Sequence, residues 1–213
     1  MHKSLLTKSH VPLLSELHLG EIGMRLLAML LLAFATSAHA AVICSSMTNL
    51  DVPATSEGLY LNLITGVSGV RESDAPGFDI DIYAAVSTHP TGQLKFYWGS
   101  ASNGGAGVVS SGVAYAVLGS NVTIGPDSVF SREGFTGDTS AWLAGTSGYL
   151  GMRFRDEATA TIVYGWLALS TTAPLGFPAT IEGWCHEDSG AAIVTPDSRP
   201  DEIFVNGFDV ETL

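Results

Sequence analysis

Asp79 and Asp81 stand two residues apart in the run Pro76–Tyr83 (PGFDIDIY), and that spacing is the first in the chain to suggest chemistry. On an extended strand both carboxylates project from one face, roughly 6.5–7 Å apart. A hard cation such as calcium takes paired carboxylates together with loop carbonyls. Two solvent-facing acids in an acidic protein are the plainer alternative. Other acids stand at Glu133, Asp156, Glu157, Glu182 and Glu187. Glycoside hydrolysis needs two such groups in one cleft, and spacing alone does not choose among them. Nucleophilic catalysis fares worse. Past residue 40 the histidines are His89, before a proline, and His186, beside Cys185. Gly145-Thr146-Ser147-Gly148 lacks the spacing of a Gly-x-Ser-x-Gly elbow. His186-Glu187-Asp188 offers metal-ligand types, but three consecutive strand residues rarely converge on one transition metal. The sequence names no reaction, and a non-catalytic role with no resident cofactor is the expectation.

Aromatic residues offer a different chemistry, stacking on sugar rings. The set comprises Tyr97, Trp98, Trp142, Tyr149, Tyr164, Trp166 and Trp184. Period-two strands bury alternate residues, which puts Trp166 and Phe154 inside. Trp142 sits in a turn-rich segment between Ser140 and Ala144-Gly145, so it is the candidate for an exposed ligand contact.

Those residues follow an address. Residues 24–40 (MRLLAMLLLAFATSAHA) carry a basic start at Arg25, an apolar stretch and an Ala38-His39-Ala40 cleavage site, the parts of a signal peptide. The apolar run is about half of what spans a bilayer, so no transmembrane anchor is expected in the mature chain. Residues 1–23 fit no signal peptide and read as a start-site extension, with translation beginning at Met24. Val42-Ile43 before Cys44 do not make a lipobox. Export out of the cytoplasm follows.

Nine Lys and Arg against 21 Asp and Glu give the 213-residue chain a net charge of −12. Beyond residue 40, six basic and nineteen acidic residues leave −13. That field repels phosphate backbones, which excludes nucleic acid as a partner. Cys44 and Cys185 are the two cysteines, and an oxidising compartment would join them. Closing so long a loop is worth roughly 4–5 kcal/mol on a chain-entropy basis, as an upper figure.

The elements that hold these residues are strands. Leu59, Leu61 and Leu63 alternate with polar positions, as do Phe78, Ile80 and Ile82, and Leu150, Met152 and Phe154. Each pattern puts one row in a core and one toward water. Leu94–Trp98, Gly112–Leu118, Asn121–Ile124, Thr161–Leu169 and Ala179–His186 are further strands; Thr161–Leu169 is apolar on both faces and therefore central. Ser100–Ser111 reads as a Gly-rich loop. Gly and Pro breaks between short strands predict an all-β chain: one antiparallel, jelly-roll-like β-sandwich over residues 41–194. Residues 195–213 form a linker and a tail.

Two stretches carry a resemblance. Gly148–Gly165 (GYLGMRFRDEATATIVYG), then Trp166, then Ala179–Ile193 (ATIEGWCHEDSGAAI) resemble a "GfrF…YGW…tItgwayE" module of secreted bacterial proteins, many with PEP-CTERM sorting tails and without assigned function. The matching positions are Tyr149, Gly151, Phe154, Tyr164, Gly165, Trp166, Ile181, Trp184, Glu187 and Ile193. The chain departs from that form at its end. Ile203, Phe204, Gly207 and Phe208 within Asp201–Asp209 (DEIFVNGFD) are similar to the "IFxxGFE" tail of xanthomonad-like exported proteins. Export, the strand pattern, a resemblance that brings no known catalysis and the poor set of nucleophile–base pairs together point to display, adhesion or a matrix role, and the tail's likeness implies the periplasm, cell surface or medium of a Gram-negative bacterium and reading by export or sorting machinery. Aromatic anchors on a terminus suit capture by a groove or sheet edge. A carbohydrate-binding or carbohydrate-cleaving module is the alternative.

Overall fold

The computed structural model describes residues 40–45, 49–86, 92–99 and 104–197. The N-terminal extension, the body of the signal segment, His89 and the tail motif Ile203, Phe204, Gly207 and Phe208 lie outside the described residues.

In chain order the strands are β1 (Val42–Cys44), β2 (Leu50–Val52), β3 (Leu59–Leu61), β4 (Ser68–Gly69), β5 (Ile80–Ala84), β6 (Leu94–Trp98), β7 (Ala106–Ser111), β8 (Ala114–Tyr115), β9 (Thr123–Ile124) and β10 (Phe130–Ser131). A one-turn helix, α1 (Ser140–Leu143), precedes β11 (Ser147–Arg155), β12 (Ile162–Thr171), β13 (Ala179–Glu187) and β14 (Ile193–Val194). The large sheet runs β1-β13-β12-β11-β7-β10, with β2 beside β13 and β8 beside β7. The small sheet runs β4-β3-β5-β6, and β9 pairs with β14. All of these strand pairings are antiparallel, as expected for an all-β sandwich.

Period-two patterning builds the main core. Leu61, Ile80, Ile82, Leu94 and Phe96 of the small sheet pack with Leu150, Met152, Phe154, Val163, Leu167 and Ile181 of the large one. Fully burying side chains of this size contributes about 1.5–3 kcal/mol each. β12 lies between β11 and β13, as its two apolar faces require. Its opposite row, Trp166 and Ala168, joins Val108, Ile124, Tyr149 and Ile193 in a second, smaller core on the other face of the large sheet.

Two expectations about the strands need correction. Ala106–Ser111 is strand β7, with Ala106 to Val109 buried, and not part of a loop. Its glycine is there for packing: a Cβ at Gly107 would lie 2.6 Å from Trp98 Cζ2, where only a bare backbone fits. The wet face expected for β5 is also absent. Asp79, Asp81 and Tyr83 are all buried: the Leu63 N–H just after β3 closes on Asp79, and Tyr60 and Tyr97 flank Asp81 on the neighbouring strands. Ala84 donates its N–H to Thr55 O at 2.8 Å, and Gly58 (φ +56°) approaches so closely that a Cβ there would meet Ile82 O at 2.1 Å.

Candidate functional site

β3, β5 and β6 place one row of side chains on the outer face of the small sheet. Tyr60 faces Asp81 across β3–β5, and Asp81 faces Tyr97 across β5–β6. Directly opposed residues in an antiparallel pair share a face, so the carboxylate stands between two phenols. An aromatic ribbon runs along this face. Tyr60 and Phe78 meet edge to face at 4.9 Å, Phe78 and Tyr97 stack at 6.1 Å, and Tyr97 and Phe135 follow at 6.0 Å. Phe78 is buried, whereas Tyr97 is 39% and Phe135 54% exposed. A cleft of about 300 Å³ opens at that exposed end, bordered by Tyr97, Arg132, Glu133, Phe135 and Thr136. Arg132 is pinned there by donating to Gly99 O and Gly105 O. Glu133 Oε2 accepts from Thr136 Oγ1 at 2.7 Å. Aromatic faces beside a carboxylate and a guanidinium make a surface suited to a polyhydroxylated ligand.

The Asp79–Asp81 pair turns out differently from its sequence reading. Leu63 donates its backbone N–H to Asp79 Oδ2 at 2.8 Å, while Asp79 Oδ1, Asp81 Oδ1 and the Tyr83 hydroxyl are buried without partners. Burial pushes Asp79 up to about 8; the Leu63 N–H acts the other way and the charge of Glu157 adds to the rise. Asp81 is likewise pushed up to about 8, by burial first and then by Glu57, against a backbone hydrogen bond at Leu59. Burial, then the charge of Asp81, raises both Tyr60 and Tyr83 to about 12. Near neutral pH these carboxyls hold their protons. Among the described residues, no three His, Cys, Asp or Glu side chains cluster as a metal site.

Trp142 is not a surface residue. It is fully buried, with its ring edge-on to Phe96 at 5.9 Å and its Nε1–H without a partner. The reason is α1: a single helical turn in the turn-rich segment drives the indole between the sheets. Thr171 Oγ1 then donates to Trp142 O at 2.6 Å and fixes the turn to β12. Exposed stacking surface comes instead from Tyr97 and Phe135. Phe135 follows a glycine in an irregular segment and carries no periodic signal, which is why sequence reasoning passed over it.

His186 and Glu187 lie buried within β13 and not at a solvated strand end. His186 rests edge-on to Phe154 at 6.0 Å, and burial lowers its pKa although Asp188, Asp156 and Glu187 oppose the shift. Glu187 Oε1 accepts from both the N–H and the hydroxyl of Ser189. The remaining acids are dispersed. Asp156 caps the β11–β12 turn through Ala158 N–H and Thr159 Oγ1, and Glu182 Oε1 accepts from Ser170 Oγ on β12.

Cys44 and Cys185 form a disulfide across 141 residues, at directly opposed positions of β1 and β13. No helix among the described residues is long and apolar enough to cross a membrane. Family models, curated proteins and solved structures gave no match to this chain.

Proposed function

We propose that this chain is an exported, non-catalytic β-sandwich that works by recognition at the surface, in the periplasm or in the surroundings of a Gram-negative cell. The observation that carries this reading is the Cys44–Cys185 disulfide, which joins the strand just after the signal-like segment to β13. Such a bond persists where thiols are oxidised, the environment that a cleaved leader at 24–40 would deliver the chain to. The resemblance to the PEP-CTERM-associated module supports the same reading: its quoted residues fall on β11, β12 and β13, adjacent strands of the large sheet, and at the start of β14. The tail motif Ile203, Phe204, Gly207 and Phe208 then serves as the handle for export or sorting machinery. Fractionation of the producing cells tests this. The protein is expected outside the cytoplasm, and a cytoplasmic pool of the full-length chain would overturn it.

A second reading has its own support, the Tyr60–Phe78–Tyr97–Phe135 ribbon ending in the Glu133 cleft. Tyr97 and Phe135, the exposed rings of that ribbon, stand beside the cleft as faces on which a sugar ring can stack. In this reading the recognition is of carbohydrate. Saturable binding to a polysaccharide panel supports it, and no binding to any member of the panel contradicts it.

A further inference from the structure

The ladder between β1 and β13 runs one residue past both strands. Asp188 donates its N–H to Ala41 O at 3.1 Å, and Ala41 donates its own N–H to Asp188 Oδ1 at 2.9 Å. Ala41 is also the residue that follows the Ala38-His39-Ala40 cleavage site. The nitrogen that a signal peptidase would free is therefore already bonded to a carboxylate.

β1 depends on links of this kind. All three of its residues are exposed, Val42 at 59% and Ile43 at 47%, so burial does little to hold the strand. Its attachment is polar and covalent. Val42 pairs with Glu187 and Ile43 with His186. The Cys44–Cys185 bond and the Ser45–Trp184 hydrogen bonds close one end, and the Ala41–Asp188 contact closes the other.

Hydrolysis changes the chemistry of that second end. One water adds across the Ala40–Ala41 bond, its oxygen going to the Ala40 carbonyl carbon. The proton given up by the new carboxyl is taken by the amine of Ala41. A neutral amide with one N–H thus becomes an ammonium with three, and the contact with Asp188 becomes an ion pair at hydrogen-bond distance. The charges around it favour the change. Glu187 stands opposite Val42, Asp156 and Asp188 act with it on His186, and burial lowers the His186 pKa and so keeps that ring neutral.

We propose that processing at Ala40–Ala41 sets a latch, in which the ammonium of the new terminus pairs with Asp188 and fastens β1 to the end of β13. The uncut chain, with a neutral amide at that place, lacks the pair. This inference rests on the reading of residues 24–40 as a cleaved leader, and it makes Asp188 the receptor for the mature terminus.

The test uses the oxidised, processed chain recovered from outside the cytoplasm, its first residue read by intact mass. The pH dependence of amine labelling, followed on the N-terminal peptide, gives the titration of the α-amine. It is expected at about 8.5 or higher, against about 7.7–8.0 for an ordinary terminus. Asp188→Asn keeps an oxygen for the hydrogen bond but removes the charge, and should return the α-amine to the ordinary range. Acetylation of the α-amine restores a neutral amide with one N–H. Hydrogen exchange of the β1 amides that pair with β13 should then quicken about two- to fivefold, as for a surface ion pair. Asp188→Asn should quicken it equally, and acetylation should add nothing in that variant. A chain that starts at Ala41 but whose α-amine titrates in the ordinary range, or is unmoved by Asp188→Asn, overturns the inference and leaves export standing. Export with a different first residue does the same. A cytoplasmic chain that keeps residues 24–40 overturns the export reading, and this inference with it.

Discussion

Asp81 lies directly between Tyr60 and Tyr97 on the outer face of the small sheet, a buried carboxyl flanked by two phenols on neighbouring strands. Its pKa of about 8, shared by Asp79, makes stability depend on pH in a defined direction. The folded chain keeps two protons that the unfolded chain gives up near pH 4, so these groups favour folding in acid. That contribution declines as pH climbs from about 4 to about 8 and is flat above. Thermal unfolding across this range should show the decline, and Asp79→Asn with Asp81→Asn should flatten it and raise the melting temperature at pH 8. A rise in melting temperature on adding calcium at pH 7, lost in the double variant, would make the pair a cation site and contradict this reading.

Trp142 should behave as a core residue. Trp142→Ala is expected to cost about 3–5 kcal/mol, measured by denaturant unfolding. Trp142→Phe should cost markedly less, because the indole N–H it removes has no partner to lose. Any binding defect in Trp142→Ala should track the unfolded fraction.

Reduction of Cys44–Cys185 should destabilise the sandwich by up to about 4–5 kcal/mol, since the bond closes a loop of 141 residues. At this chain length 1 kcal/mol corresponds to about 2–4 °C, so a fall in melting temperature of up to about 8–20 °C is expected under reductant. Cys44→Ser with Cys185→Ser should reproduce that fall and remove the response to reductant.

On the ribbon, Tyr97→Ala and Phe135→Ala should each weaken glycan binding about fivefold with little change in stability, because both rings are exposed and a stacking contact is worth about 1 kcal/mol. Phe78→Ala, by contrast, should lower stability first, because that ring is buried.

Much of the sandwich was legible in the chain because burial and period two coincide in its longest strands. Leu94–Trp98 is β6 with the bounds its pattern gives, and β12 is central because Trp166 and Ala168 need cover on the face opposite Leu167 and Leu169. The site was less legible. Alternation says which residues share a face but not what covers it, so Asp79 and Asp81 read as wet until Leu63 is seen bonded to the one and Tyr60 and Tyr97 flanking the other. Trp142 misled for a related reason: one helical turn is too short to show a 3.6-residue period. The place of Phe135 beside Tyr97 arises from contact between segments far apart in sequence, which no local pattern records.

The central claim is export into an oxidising space, and intact-mass measurement of the protein recovered from periplasm, cell surface and medium tests it most directly. The account predicts a chain beginning near Ala41 that is two hydrogens lighter than its reduced form, with Cys44 and Cys185 joined. A chain found in the cytoplasm that retains residues 24–40 and carries two free thiols would contradict it.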